Sequence, residues 1–373
     1  MGMDRLSAHL DRGWDLLDQG DVRGAKASAK RALALSKSSP EATNLLGKAT
    51  LLEGDLDGAL ELFRSAIALD DGYVDAFINA AEVHLARGEL DEALSLADEV
   101  LEFSDHPDDV ADAVLLQVDV MLDRGDVDGA RRAMDRLPEE PLESPHFAFL
   151  LGRAWVDLGD PDRAEPLLVE SLKADPSNPD AHYYLALAFE QRREWRRATL
   201  SMLESAALEA RAPRAPWSLP REQFHKRVER AMAAVDPSLA AHVEGALVLI
   251  ADAPGVEVIA DGVDPRAAVL IEGMVTPETP ARDPGEARDD SARVFVYQRG
   301  VERRCPGVED LEEVITLSIE DEVRAHLGLP APGEAAHGRP VTREPRASDP
   351  PRPPAPRDES PDDDEAPKRR PRR

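Results

Sequence analysis

Apolar positions divide the chain into two regimes. From residue 6 to about 213 they recur with a helical repeat, punctuated at a fixed period by a glycine and an acid: Gly20-Asp21, Gly54-Asp55, Gly88-Glu89, Gly125-Asp126 and Gly159-Asp160. The steps are 34, 34, 37 and 34 residues. An alanine follows each glycine five residues later, at Ala25, Ala59, Ala93, Ala130 and Ala164. One more step of 34 reaches Arg193, with Ala198 five residues on. Seven residues before each of these places stands a small or short side chain: Gly13, Gly47, Ala81, Val118, Gly152 and Ala186.

This pattern predicts six units, each a helix, a tight turn and a second helix. A glycine ends the first helix because the left-handed conformation costs little without a Cβ. The small residue on the first helix and the alanine on the second let two backbones approach closely. Larger side chains fill the seam: Leu46, Phe63 and Ala66 in the second unit, and Leu151, Trp155 and Leu168 in the fifth. Pro176 follows the fifth pair, where a proline cannot continue a helix. No unit buries its apolar face alone, so neighbours must stack.

These positions resemble the tetratricopeptide repeat. The second unit carries most of that pattern in Leu46-Gly47, Gly54-Asp55, Ala59, Phe63 and Ala66. Val118 makes the fourth unit the poorest match. The resemblance implies a superhelical solenoid with a concave groove lined mainly by first helices. It places Asn44, Lys48, Asn79, Glu82, Arg153, Tyr183 and Leu187 toward that groove. Lys48 and Asn79 are fragments of the family's clamp for a peptide carboxylate, but the order and number of residues do not match it.

The second regime begins at Pro213 to Pro220, where prolines break the helical pattern. Glu222 to Val235 is then expected to be an amphipathic helix, with Phe224, Val228, Ala231 and Val235 on one face. Short apolar runs at Ala246–Ala251, Ala268–Ile271 and Val294–Tyr297 read as strands. Residues 276–291, rich in Pro, Asp, Glu and Arg, read as a loop. Helical spacing returns over Asp310 to Leu327 through Leu311, Val314, Ile315, Leu317, Ile319 and Val323, and Gly328 and Pro330 mark its end. The expected architecture is a solenoid over residues 1–213, a small α+β domain over 214–330 and a tail over 331–373.

Within the α+β domain, Val294-Phe295-Val296-Tyr297-Gln298-Arg299, Arg304-Cys305-Pro306 and the stretch from Glu309 to Leu329 resemble the minimal zincin-like bacterial metallopeptidases. Ala251-Asp252-Ala253-Pro254 and Ile271-Glu272-Gly273 add to the likeness. That family carries His-Glu-x-x-His on its last helix, where two histidines hold zinc and the glutamate activates the bound water. Alignment puts the motif at Asp321-Glu322-Val323-Arg324-Ala325, followed by His326. Glu322 is kept, while Asp321 and Ala325 stand where the histidines would be. Glu322 and His326 share a helix face and offer two ligands; a catalytic zinc needs three. The resemblance therefore implies a degenerate site with no metal and no cofactor.

Charge narrows the partner. The formal net charge is -29, which opposes general nucleic-acid binding and permits a cationic protein or peptide. Cys305 is the single cysteine, so no internal disulfide is expected, and it reads as structural despite its flanking arginines. The N-terminus lacks a signal-peptide pattern and no apolar run is long enough for a bilayer, so a cytoplasmic protein without a membrane partner is expected. The proline-rich tail is near neutral, with an acidic block before its basic end, Lys368 to Arg373, and is expected to be disordered.

Three readings follow. The leading one is a non-enzymatic adaptor whose groove holds a protein or peptide while the degenerate domain caps or supplements that surface. The alternative is a zinc-dependent metallopeptidase with an atypical site, to which the repeats present substrate. In the third, the repeats drive self-association.

Overall fold

The computed structural model describes residues 2–142, 144–215, 217–274, 292–305 and 307–329. The loop expected over 276–291 and the tail expected from 331 onward lie outside the described residues. The first half is an α-solenoid of six helical hairpins. They are α1 (Gly2–Asp18) with α2 (Val22–Leu35), α3 (Pro40–Leu52) with α4 (Leu56–Leu69), and α5 (Val74–Ala86) with α6 (Leu90–Phe103). Then come α7 (Pro107–Asp123) with α8 (Val127–Met134), α9 (Phe147–Asp157) with α10 (Pro161–Ala174), and α11 (Pro179–Gln191) with α12 (Trp195–Glu209).

The glycine–acid pair builds each turn. The glycines at 20, 54, 88, 125 and 159 have φ between 71° and 87°. In every unit the next residue's N–H reaches back five residues, as in Asp21 N to Leu16 O at 2.8 Å and Glu194 N to Phe189 O at 2.8 Å. This closes the first helix and satisfies a carbonyl that would otherwise be orphaned. The same acid then starts the second helix. The side chains of Asp21, Asp55, Asp126 and Asp160 accept from the N–H groups of Gly24, Gly58, Gly129 and Arg163. One aspartate thus serves two helix ends, and each such cap is worth about 1 kcal/mol. In the sixth unit Arg193 takes the glycine's place and its left-handed conformation, at φ 60°.

Close packing follows from the small residues. A β-carbon on Gly47 would lie 2.5 Å from Phe63 Cε1, and one on Gly152 would lie 2.7 Å from Leu168 Cγ. Phe63, Ala66 and Leu168 are fully buried, whereas Leu46, Leu151 and Trp155 are half-buried. Val118, the poorest fit to the repeat pattern, is fully buried among Val114, Leu115 and Leu122.

After the solenoid comes a small α+β unit. It runs α13 (Arg221–Ala234), α14 (Pro237–Ala240), β1 (Leu247–Ala251), α15 (Val256–Ala260), β2 (Val269–Glu272), β3 (Arg293–Tyr297), α16 (Gln298–Arg303) and α17 (Leu311–His326). The sheet order is β1-β3-β2, with β1 parallel and β2 antiparallel to β3. Phe224, Val228 and Ala231 of α13 meet Ile315, Ile319 and Val323 of α17 and Ile271, Val294 and Val296 of the sheet in one core. Burial of each large side chain there contributes roughly 1.5–3 kcal/mol. Leu317, placed on the helical face by its spacing, is 46% exposed. The helices α14, α15 and α16 are too short to show a period in the sequence.

Candidate functional site

First helices of successive units touch one another, α1 on α3, α3 on α5, α5 on α7, α7 on α9 and α9 on α11. The second helices make no comparable contact among themselves among the described residues. The first-helix row is therefore the inner side of the curve, and the candidate binding surface lies along it.

Equivalent positions of that row carry Lys48, Glu82, Asp119, Arg153 and Leu187. Lys48 Nζ lies 3.2 Å from Glu82 Oε2, and Arg153 Nη2 lies 3.3 Å from Asp119 Oδ2. Charges of opposite sign thus pair across neighbouring units. Beneath them, Asn79 Nδ2 donates to Asn44 Oδ1 at 2.9 Å, and Lys48 Nζ donates to Asn79 Oδ1 at 3.0 Å. Asn44 and Asn79 are buried. Asn44 also reaches the Tyr73 hydroxyl, and burial together with Asp75 holds that phenol far above its usual range. Asn44, Lys48, Asn79 and Glu82 form one bonded network linking the second and third units, and Arg153 stands apart with Asp119.

Tyr183 and Leu187 have a different environment. Ile259 of α15, 3% exposed, clusters with Ala186 and Met202, and Tyr183, Leu187 and Leu203 pack against that cluster. The Tyr183 hydroxyl donates to Asp264 at 2.8 Å, and the Arg266 guanidinium lies 3.9 Å above the Tyr183 ring. Arg266 also pairs with Asp180 of α11 and donates from Nε to Glu209 of α12 at 2.8 Å. Arg303 of α16 joins the same two carboxylates, and Arg299 donates to the Glu209 carbonyl at 3.0 Å. The α+β unit therefore packs on both helices of the sixth repeat, against Tyr183 of α11 and Glu209 of α12. Nothing local in the sequence links Tyr183 to Asp264 or Arg266, some eighty residues away.

The residues aligned with the zinc motif lie at the end of α17. Asp321, Ala325 and His326 are exposed, and Glu322 is half-buried. His326 Nδ1 is 2.9 Å from the Glu322 carbonyl oxygen and 3.7 Å from Glu322 Oε1. Burial raises the Glu322 carboxyl above its ordinary range, against the opposing pull of His326 and the Ile271 N–H. Partial desolvation by its neighbours raises Asp321 as well, although its side chain stays exposed. Among the described residues no group of three or more His, Cys, Asp or Glu is placed to hold a metal ion. Cys305 is buried, and that burial pushes its thiol up to about 12, so at neutral pH it is a packing group rather than a nucleophile. No described helix is long and apolar enough to cross a membrane.

Family models described as tetratricopeptide repeat match residues 10–74, 115–168, 149–216 and 50–111, together more than half of the chain. No curated protein matches the chain. Among solved structures, the chain is similar to one from the Cut9–Hcn1 hetero-tetramer of the APC/C, at 17% identity and a TM-score of 0.46. That match covers 56% of this chain and only 41% of the other. It is also similar to a thermophilic tetratricopeptide repeat protein of Thermus thermophilus, at 22% identity, 50% and 99% coverage and a TM-score of 0.42. PilW, a type IV pilus biogenesis factor, gives 16% identity, 56% and 94% coverage and a TM-score of 0.44. The period, the turn chemistry and the family models agree: through residues 10–216, the chain belongs to the tetratricopeptide repeat family.

Proposed function

We propose that this chain is a non-catalytic scaffold whose inner helical row holds a protein or peptide partner. The observation that carries this reading is the bonded network of Asn44, Lys48, Asn79 and Glu82 at the second and third repeats. Its groups are held in place before any partner arrives, so binding costs little side-chain ordering. The overall charge of -29 favours a cationic partner. The α+β unit, with its resemblance to zincin-like metallopeptidases, acts in this reading as an accessory module. Ala325 at one histidine position cannot ligate a metal, and Asp321 at the other offers only an oxygen. Cytoplasmic location is part of the same proposal.

Site-specific photo-crosslinking tests it. A crosslinking amino acid at Lys48, on the inner row, is expected to capture a partner in the native cell. The same group at exposed Glu61 of α4 is not expected to capture it. Equal capture at both positions, or capture at Glu61 alone, overturns the groove reading.

A further inference from the structure

The contact between the solenoid and the α+β unit has the makeup of a ligand site. Arg266 has a side chain only 3% exposed, and it enters a pocket lined by Asp180, Tyr183 and Glu209 of the sixth repeat, whose two carboxylates it shares with Arg303 of α16. Tyr183 provides the floor at 3.9 Å, Asp180 one wall, and Glu209 the other, at 2.7 Å from Nη2. A planar guanidinium satisfies all three at once: it stacks on a ring while its edge donates to two carboxylates. A lysine ammonium in the same place would lose the fork geometry and most of the stacking.

The loop that delivers Arg266 is itself fixed. Asp264 accepts the Tyr183 hydroxyl through Oδ2 at 2.8 Å and the Arg266 N–H through Oδ1 at 2.7 Å. Gly300 of α16 lies flat against the loop; a β-carbon there would come to 2.0 Å of the Ala267 carbonyl oxygen. Beside it, Ile259 fills the apolar recess between Ala186 and Met202. The α+β unit thus presents an arginine and an isoleucine to the two helices of the sixth repeat, in the manner of a bound peptide.

We infer that the Asp180–Tyr183–Glu209 pocket is an arginine-recognition site at the end of the groove. Arg266 is its ligand in cis, and an arginine-bearing segment of the partner competes for it by displacing the loop 261–267. Recognition of the guanidinium stands on the pocket alone; its use by a partner rests on the groove reading above.

Two arms on the full chain test the inference. Arg266→Ala empties the place over the Tyr183 ring, leaving Arg303 on Asp180 and Glu209, and is expected to lower the melting temperature. Ethylguanidinium should restore most of that loss, ethylammonium should not, and the rescue should vanish in the Arg266→Ala/Tyr183→Ala double variant. Absence of rescue, or equal rescue by both cations, overturns the guanidinium site. The second arm uses the wild-type chain and needs no variant to fold. A synthetic peptide with one arginine in an apolar context is expected to speed amide exchange over 259–268 severalfold, and the same peptide with citrulline is not. Unchanged exchange, or equal change with citrulline, overturns the competition. Either failure leaves crosslinking at Lys48 free to succeed, so the pocket and the groove are judged separately.

Discussion

Lys48 and Glu82 occupy the same position of consecutive repeats and meet at 3.2 Å, with side chains 13% and 15% exposed. Half-buried pairs of this kind tie one repeat to the next. Removing Lys48 takes this counter-charge away from Glu82, and the Asn79 side-chain carbonyl also loses the Lys48 donor. Lys48→Ala is therefore expected to destabilise the solenoid by about 1–3 kcal/mol. The Lys48→Ala/Glu82→Ala double variant should lose less than the sum of the single losses, with a coupling of about 1 kcal/mol. Urea unfolding of the four proteins in the cycle measures it, and strict additivity would show that the pair contributes nothing.

Gly47 permits the approach of Phe63. Gly47→Ala places a methyl group where the ring edge now lies, and overpacking of this kind costs about 1–3 kcal/mol. Shortening the ring in Gly47→Ala/Phe63→Leu should recover part of the loss relative to Phe63→Leu alone. A Gly47→Ala chain with an unchanged urea midpoint would contradict the packing account.

Arg193 carries a left-handed backbone that the other five units assign to glycine. Arg193→Gly relieves that conformation at the expense of a freer unfolded chain, and a net gain of about 1 kcal/mol is expected. Thermal unfolding checks it; a loss of stability would mean that the Arg193 side chain makes a compensating contact.

Glu322 is held above its ordinary carboxyl range by burial. Such a carboxyl binds its proton more tightly in the folded state. Stability is therefore greatest when the group is protonated and falls as pH rises from the unfolded value through the folded one. Glu322→Gln removes this dependence while keeping an acceptor for the Ile271 N–H. The variant is expected to melt higher than the wild type at neutral pH, with the difference shrinking on acidification. A difference that grows toward acid would reverse the sign of the account.

Much of the solenoid was legible in the sequence because each repeat writes its turn in the same two residues. Gly54-Asp55 states both the end of one helix and the cap of the next, and the period does the rest. In the α+β unit, the spacing of Phe224, Val228, Ala231 and Val235 predicted a helix over 222–235, and α13 spans Arg221–Ala234. The sheet order β1-β3-β2 was not legible, since it depends on which strands find each other across a long connection. The inner row was legible only as positions. Repeat alignment brought Asn44, Lys48, Asn79 and Glu82 to one face, but their bonding to one another is a property of the stacked units. Tyr183 and Leu187 were placed on that face by the same rule. Their cover, Arg266 and Ile259, comes from a separate folding unit that no periodicity connects to them.

The proposed role, holding a partner without cutting it, is open to one direct measurement. The partner captured through Lys48, once purified, can be incubated with the full-length chain and followed by intact mass spectrometry, with zinc measured on the same sample. The account predicts a stoichiometric complex, a partner of unchanged mass and no stoichiometric zinc. A shortened partner together with one zinc per chain, lost on mutating Glu322 or His326, would contradict it.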